Sequence, residues 1–257
     1  MNLFTFFIFL ATISSNFVNA AELDRSAVQN LLANTTGAKP TDLRRKDLTD
    51  LDLSNLDFTH ADLWGSDLRR SNLSKSNLSG LNLDLTVMTK INLSGTNLSH
   101  SSIFGVHMVG ANLSEANLSG SRFIANLDRS NLHGASLVGA NWGVDMKNQP
   151  MGLMRVSLNN VDLSDADLTN ADLNRALLRQ ANLSGTILKN AVLVAADLSG
   201  ADFSNADLSG ADLSGCELTD TVFTGSNLNG AHFSDIKDQS ILRNIHAGKN
   251  AEKAVFR

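Results

Sequence analysis

The chain has 257 residues, a formal charge of −5 and 18% charged residues. A single Cys excludes an internal disulfide framework, and two Pro, no Tyr and 5% aromatic residues argue against the mixed content of a compact enzyme core. Basic residues cluster only briefly, at Arg44-Arg45-Lys46 and Arg69-Arg70, so there is no electrostatic footprint for nucleic acid.

Residues 1–20 read as a signal peptide. Leu3–Ile13 is a short apolar run, followed by Ser14, Ser15 and Asn16 and then by Val18-Asn19-Ala20, small residues at the positions a signal peptidase reads. The run is too short to span a bilayer of roughly 30 Å, so cleavage after Ala20 is expected to leave no stable membrane insertion. No Cys lies near the cut, which excludes a bacterial lipoprotein anchor. The expected destination is the bacterial periplasm or the exterior, or the lumen of a related compartment. Asn-Leu-Ser triplets match a glycosylation acceptor, but most follow from the repeat described next, which favours a bacterial over a eukaryotic route.

Residues 21–40 are expected to form an N-terminal helical cap, with Leu23, Ala27, Val28, Leu31 and Leu32 on one face. From residue 41 to residue 235 a five-residue period takes over. Its large apolar centre, position i, runs every fifth residue from Leu43 to Phe123, then through Leu127, Leu132, Leu137 and Trp142, then from Leu153 to Phe233. Position i−2 is small or apolar (Ala61, Ser66, Ser71, Ala111, Ala166, Ala211), i−1 is Asp or Asn, and i+1 and i+2 are commonly Ser and Gly. Two inward positions in every five fit neither a helix nor a long strand, but suit a short extended segment followed by a turn. A unit so short cannot bury its own apolar face and must stack on copies of itself.

This pattern, as in Ala-Asp-Leu-Ser-Gly at Ala196–Gly200, resembles the pentapeptide repeat family over about three quarters of the chain. The resemblance implies an all-β solenoid: a right-handed quadrilateral parallel β-helix of about nine to ten coils, four pentapeptides to a coil, with short helical caps at both ends. Strands stack about 4.8 Å apart. At a twenty-residue period Phe203 and Phe223 should lie one above the other, whereas His60 and His100 fall two coils apart, too far to share a zinc ion.

Two departures break the rhythm: the four-residue step from Phe123 to Leu127, which interrupts the frame at residues 124–126, and the non-repeat stretch at residues 143–152. The second contains Asp145, Lys147, Pro150 and Met151 and reads as a loop. Residues 236–257 are expected to form a C-terminal helical cap through Ile236, Ile241, Leu242 and Ile245, with a loose tail from Lys249 to Arg257.

No catalytic or metal constellation emerges. The runs Asp42–Asp67 and Asp197–Asp212 follow the repeat and read as turn residues, and Cys216 fills a slot that elsewhere holds Ala, as a small buried residue. No cofactor or metal is expected. Candidate partner-contact residues lie where regularity fails: Trp64, Phe104 and Ile124 in one i+1 column, and Asp145, Lys147 and Met151 in the loop. The leading reading is an exported non-catalytic scaffold or protein-binding module with a protein partner and no nucleic acid, able to associate end to end with itself. The family resemblance also implies a second reading, a DNA mimic acting on a type II topoisomerase; a third is a β-helix carbohydrate-active enzyme using Asp145 and Lys147.

Overall fold

The computed structural model describes residues 23–35, 39–144, 154–236 and 245–256. The expected signal peptide, the loop residues Asp145, Lys147 and Met151, the frame residue Leu153 and the cap residues Ile241 and Leu242 lie outside them. No helix among the described residues is long and apolar enough to cross a membrane.

Each pentapeptide makes one short rung. The residue before the centre pairs in parallel with its equivalent twenty residues on: Asp47 with Asp67, Asn72 with Asn92, Asn77 with Asn97 and Asp162 with Asn182. Leu43 N donates to Asp62 O at 2.9 Å, Arg45 N to Trp64 O at 3.1 Å and Asp67 N to Lys46 O at 2.9 Å, so the chain rises one rung after every four pentapeptides. The four sides begin at Leu43, Leu48, Leu53 and Phe58. Between rungs the chain turns, with Lys46 N donating to Leu43 O and Ser71 N to Leu68 O. The second turn residue takes positive φ even where it is not glycine, as at Asn55, Lys75 and Glu115, which matches a type II turn.

The repeat chemistry follows from this geometry. Every described centre from Leu43 to Phe123, Leu127 to Trp142 and Leu158 to Phe233 is at most 2% exposed, forming one continuous ladder. Phe203 and Phe223 stack with centroids 5.4 Å apart and planes 4° apart; Phe123 and Trp142 do the same at 4.8 Å. Hydroxyls at i−2 fall on interior carbonyls, Thr96 Oγ1 donating to Leu73 O at 2.8 Å and Ser76 Oγ to Leu53 O at 2.9 Å. Asp and Asn at i−1 accept the turn N–H two residues on, as Asp47 does from Thr49 (3.0 Å) and Asp202 from Ser204 (2.8 Å). Asn also donates along the tower: Asn72 to Asp52, Asn92 to Asn72 and Asn112 to Asn92, at 3.0, 2.8 and 3.2 Å.

Helix α1 (Arg25–Ala33) covers the first rung. Asp24 caps it by accepting from Ala27 N at 2.7 Å, and Arg25 donates to Asp52 O and Ser54 O of the first coil. Val28 is fully buried and Leu23 and Leu32 pack on the core, but Leu31 is exposed, so the apolar face is narrower than its spacing suggests. At the other end the expected loose tail is docked. Lys249 and Val255 pair with Asn227 and His232, a short 3-10 helix spans Ala251–Lys253, and Phe256 stacks on Phe233 at 5.6 Å.

Both irregularities fall at the edge between the first and second sides. Strand β1 (Thr41–Asp42) pairs with β2 (Ala61–Asp62), and higher up β3 (Ser102–His107) pairs with β4 (Arg122–Asn126) in parallel across this edge. Because β4 has one residue fewer, Gly105 is skipped between the pairs Phe104–Ile124 and Val106–Ala125. One coil later Asn126 pairs with Ser157 and Asn141 with Asp172, so the inserted residues leave and rejoin the tower at that edge.

Candidate partner-binding surface

The spacing predicts that the i+1 column on the first side presents Trp64, Phe104 and Ile124 together. The structure breaks that column up. Trp64 is half-buried because the Arg45 guanidinium lies over its ring, 4.9 Å from the centroid. Above it Asp84 uses Oδ1 to accept from Phe104 N at 2.9 Å and from Ser102 Oγ at 3.5 Å. Phe104 is 40% exposed. Ile124 is only 3% exposed, although it pairs in parallel register with Phe104 and, unlike Phe123 and Ala125, is not part of the interior core cluster. Ile124 is therefore removed from the candidate surface.

Two residues that the column argument missed take its place. Leu85 is 51% exposed and Val87 is also exposed. Leu85 N donates to Phe104 O at 3.3 Å, and the Leu85 side chain lies against Gly105, its Cδ2 3.7 Å from where a Cβ would stand. Val87 pairs with His107 in the next rung. Leu85, Val87 and Phe104 thus share two adjacent rungs at one edge, while Val138, Ile187 and Val222 are exposed apart from one another, on other sides or in other rungs. The signal was in the sequence. Leu85 fills a slot usually given to Gly, Asn or a charged residue, and Val87 one usually given to Asp or Asn.

Elsewhere the polar surface is occupied by its own turns. The carboxyl of Asp42 is held down to about 2 by the Arg44 guanidinium and then by the Arg44 N–H. Asp57 is lowered first by the Thr59 N–H. At Asp197, burial pushes upward but is outweighed by hydrogen bonds from Ser199 and Arg179. Cys216 is buried, donates to Leu193 O, and has its thiol pushed up to about 12 by desolvation. No group of three or more His, Cys, Asp or Glu side chains able to hold a metal occurs among the described residues.

A family model for pentapeptide repeats matches eight copies over residues 52–89, 91–124, 157–193 and 196–235. The chain belongs to the pentapeptide repeat family. The widest gap in the match, between residues 124 and 157, brackets the extended corner and the insertion. Among solved structures it is similar to HetL, a pentapeptide repeat protein involved in heterocyst differentiation regulation from the cyanobacterium Nostoc sp. strain PCC 7120: 29% identity, 82% of this chain, 97% of that one, TM-score 0.48. It is also similar to QnrB1, a plasmid-mediated fluoroquinolone resistance protein (17% identity, 74% and 89% coverage, TM-score 0.43). A third similar structure is a pentapeptide repeat protein of the Arabidopsis thaliana thylakoid lumen (20% identity, 61% and 78% coverage, TM-score 0.24). Comparison with curated protein sequences gives no match.

Proposed function

We propose that this pentapeptide repeat protein is an exported, non-catalytic scaffold: a right-handed quadrilateral β-helix of nine to ten coils that presents the edge around Leu85, Val87 and Phe104 to a protein partner. The observation that carries the reading is that grouping. In a tower whose outward positions are filled mainly by Ser, Asn, Asp and Gly, three exposed large apolar residues meet in two adjacent rungs, and such patches mark contact surfaces. A structural role for the carboxylates is supported by their bonds to turn N–H groups. The DNA-mimic reading draws less support, because carboxylates do not line any side continuously: Asp172 and Asp212 are separated by Val192, and Asp167 and Asp207 by Ile187. Export rests on the apolar run Leu3–Ile13 and the Val18-Asn19-Ala20 site.

A photo-crosslinking amino acid placed at position 85 or 104, and at Ser184 on another side as control, tests the reading in cells. The same partner should be captured from positions 85 and 104 and not from 184. Equal capture from all three, or a mature chain that retains its first twenty residues in the cytoplasm, would overturn it.

A further inference from the structure

The chemistry around the Leu85 edge narrows the partner. On the second side the i−1 position carries Asp47 and Asp67 in the lower rungs, then Val87, His107 and Asn126. The i+1 position likewise changes from Arg69 to Thr89 and Val109, Lys90 N donating to Val109 O at 3.1 Å. Two successive rungs of this side therefore carry no carboxylate. The acidic groups bordering them are already engaged: Asp67 with Arg69 at 2.5 Å, Asp84 with Phe104 N and Ser102 Oγ, and Asp128 with Ser157 Oγ and Asn159 N at 2.6 and 2.8 Å.

The cations around the same area are not. Lys90 shares a rung with Leu85 and Val87, and its aliphatic stem runs over Gly110, 3.8 Å from that residue's Cβ position. Arg122 stands one rung above Ser102, two residues before the level of Phe104. Arg129 follows the level of Gly110, whose N–H bonds Asp128 O. All three are exposed, and none is in an ion pair among the described residues. Arg25, Arg44, Arg69, Arg70, Arg179 and Lys189 each have an acidic partner, whereas Arg45, Lys46, Lys75, Arg155 and Arg175 have none either among the described residues, so it is nearness to the exposed apolar group that sets Lys90, Arg122 and Arg129 apart. Exposed apolar side chains framed by unpaired cations, in a chain of net charge −5, form a local field of opposite sign to the whole.

We propose that this edge docks an acidic amphipathic segment of a protein partner, whose apolar residues cover Leu85, Val87 and Phe104 and whose Asp or Glu side chains meet Lys90, Arg122 and Arg129. The inference rests on the docking reading above and adds the partner's chemistry. Apolar contact supplies most of the affinity, and the cations set orientation and discriminate against basic partners.

The test uses the mature full-length protein and two synthetic amphipathic helical peptides of identical Leu face, one with Glu and one with Lys on its polar flanks, measured by fluorescence anisotropy. The Glu peptide should bind at least tenfold more tightly than the Lys peptide, and binding should weaken several-fold as salt rises through the range where screening becomes short. Lys90→Glu with Arg122→Glu should cost at least tenfold for the Glu peptide; Phe104→Ser with Leu85→Ser should weaken it as much. These four residues are exposed, and circular dichroism checks that each variant keeps its fold. Equal binding of the two peptides, or unchanged binding by the charge-reversal variant, overturns the acidic assignment. Preferential binding to phosphatidylglycerol vesicles over the Glu peptide overturns the protein partner. If the cellular crosslink from position 104 survives charge reversal but not Phe104→Ser with Leu85→Ser, docking stands and only the acidic chemistry fails.

Discussion

Phe223→Ala would remove a side chain that is 1% exposed and packed between two other rings. Phe203 lies 5.4 Å below it in parallel, and Phe233 meets it edge-on at 5.8 Å. Large-to-small changes of a buried Phe cost about 3–5 kcal/mol. Rungs that pair only with those before and after them form a nearly one-dimensional stack, so the loss should stay near where it is made. The rungs above Phe223 are held by a shorter, less regular segment, Lys249–Val255, and should open first. Amide hydrogen exchange followed by mass spectrometry reads this directly: about 2 to 3.5 orders of magnitude less protection over residues 203–236 and 245–256, and near-normal protection from residue 43 to residue 123. Ile187→Ala, at an exposed position, is the control and should change stability by no more than about 0.5 kcal/mol. Uniform loss of protection along the chain, or a cost under about 1 kcal/mol, would refute the nearest-neighbour reasoning.

Ser66 Oγ is the buried side-chain polar atom among the described residues that lacks a hydrogen-bond partner; Ser66→Ala should raise stability to denaturant by about 1 kcal/mol, whereas Ser76→Ala, which removes bonds to Leu53 O and Leu56 N, should lower it by a similar amount. Asp42 titrates at about 2 instead of its ordinary 3.8 because of Arg44. A carboxylate lowered on folding stabilises above its unfolded value and loses that contribution as pH falls through the folded one. The melting temperature should therefore hold down to roughly pH 4 and drop toward about pH 2, and in Arg44→Gln the Asp42 carboxyl carbon should titrate higher by NMR. With its thiol at about 12 and buried, Cys216 should react with a disulfide reagent at mildly alkaline pH only as fast as the tower unfolds, and at once in denaturant; rapid reaction of the folded protein would contradict the assignment.

Regular positions were readable because each follows from one physical demand. A single apolar residue in five has to fill the interior, so the described centres between Leu43 and Phe233 could be placed from spacing alone, and so could the Phe203–Phe223 stack. Asp at i−1 could be assigned to a turn, and Cys216 to an Ala slot, for the same reason. The failures come from treating frame position as equal to direction. Ile124 keeps an outward label in the frame and pairs with exposed Phe104, yet it is 3% exposed and lies outside the interior core cluster, so an outward frame position is not thereby a free one. Leu85 and Val87 are invisible to a single-column reading, because a contact surface on stacked rungs runs across columns and around a turn. From Lys249 onward the repeat frame has ended, and the expectation there is a loose tail. Unpaired N–H and C=O groups on the last rung are costly to leave open, and Phe256 adds a ring to the exposed end of the Phe233 stack.

The contact surface has a cost that can be measured. Where Asp or Asn stands at i−1, its Oδ1 accepts the turn N–H, as Asp67 does from Arg69 at 3.2 Å and Asn92 from Ser94 at 3.1 Å. Val87 cannot do this for Thr89. At Val87 and Met88 the links to the neighbouring rungs are backbone bonds, Val87 N to Ser66 O at 3.0 Å and Met88 N to His107 O at 3.1 Å. Val87→Asn would restore the turn bond and also allow donation to Asp67, as Asn72 donates to Asp52 at 3.0 Å. Two net bonds of about 0.5–1.5 kcal/mol each, less the packing lost from a side chain already exposed, predict a gain of about 1 kcal/mol in chemical unfolding. The same change removes apolar contact from the docking edge, so affinity for the Glu peptide should fall several-fold as stability rises. If Val87→Asn destabilises the protein, the turn-bond account of the i−1 position is wrong. If it stabilises and leaves peptide binding untouched, Val87 belongs to the framework and the docking edge is confined to Leu85 and Phe104.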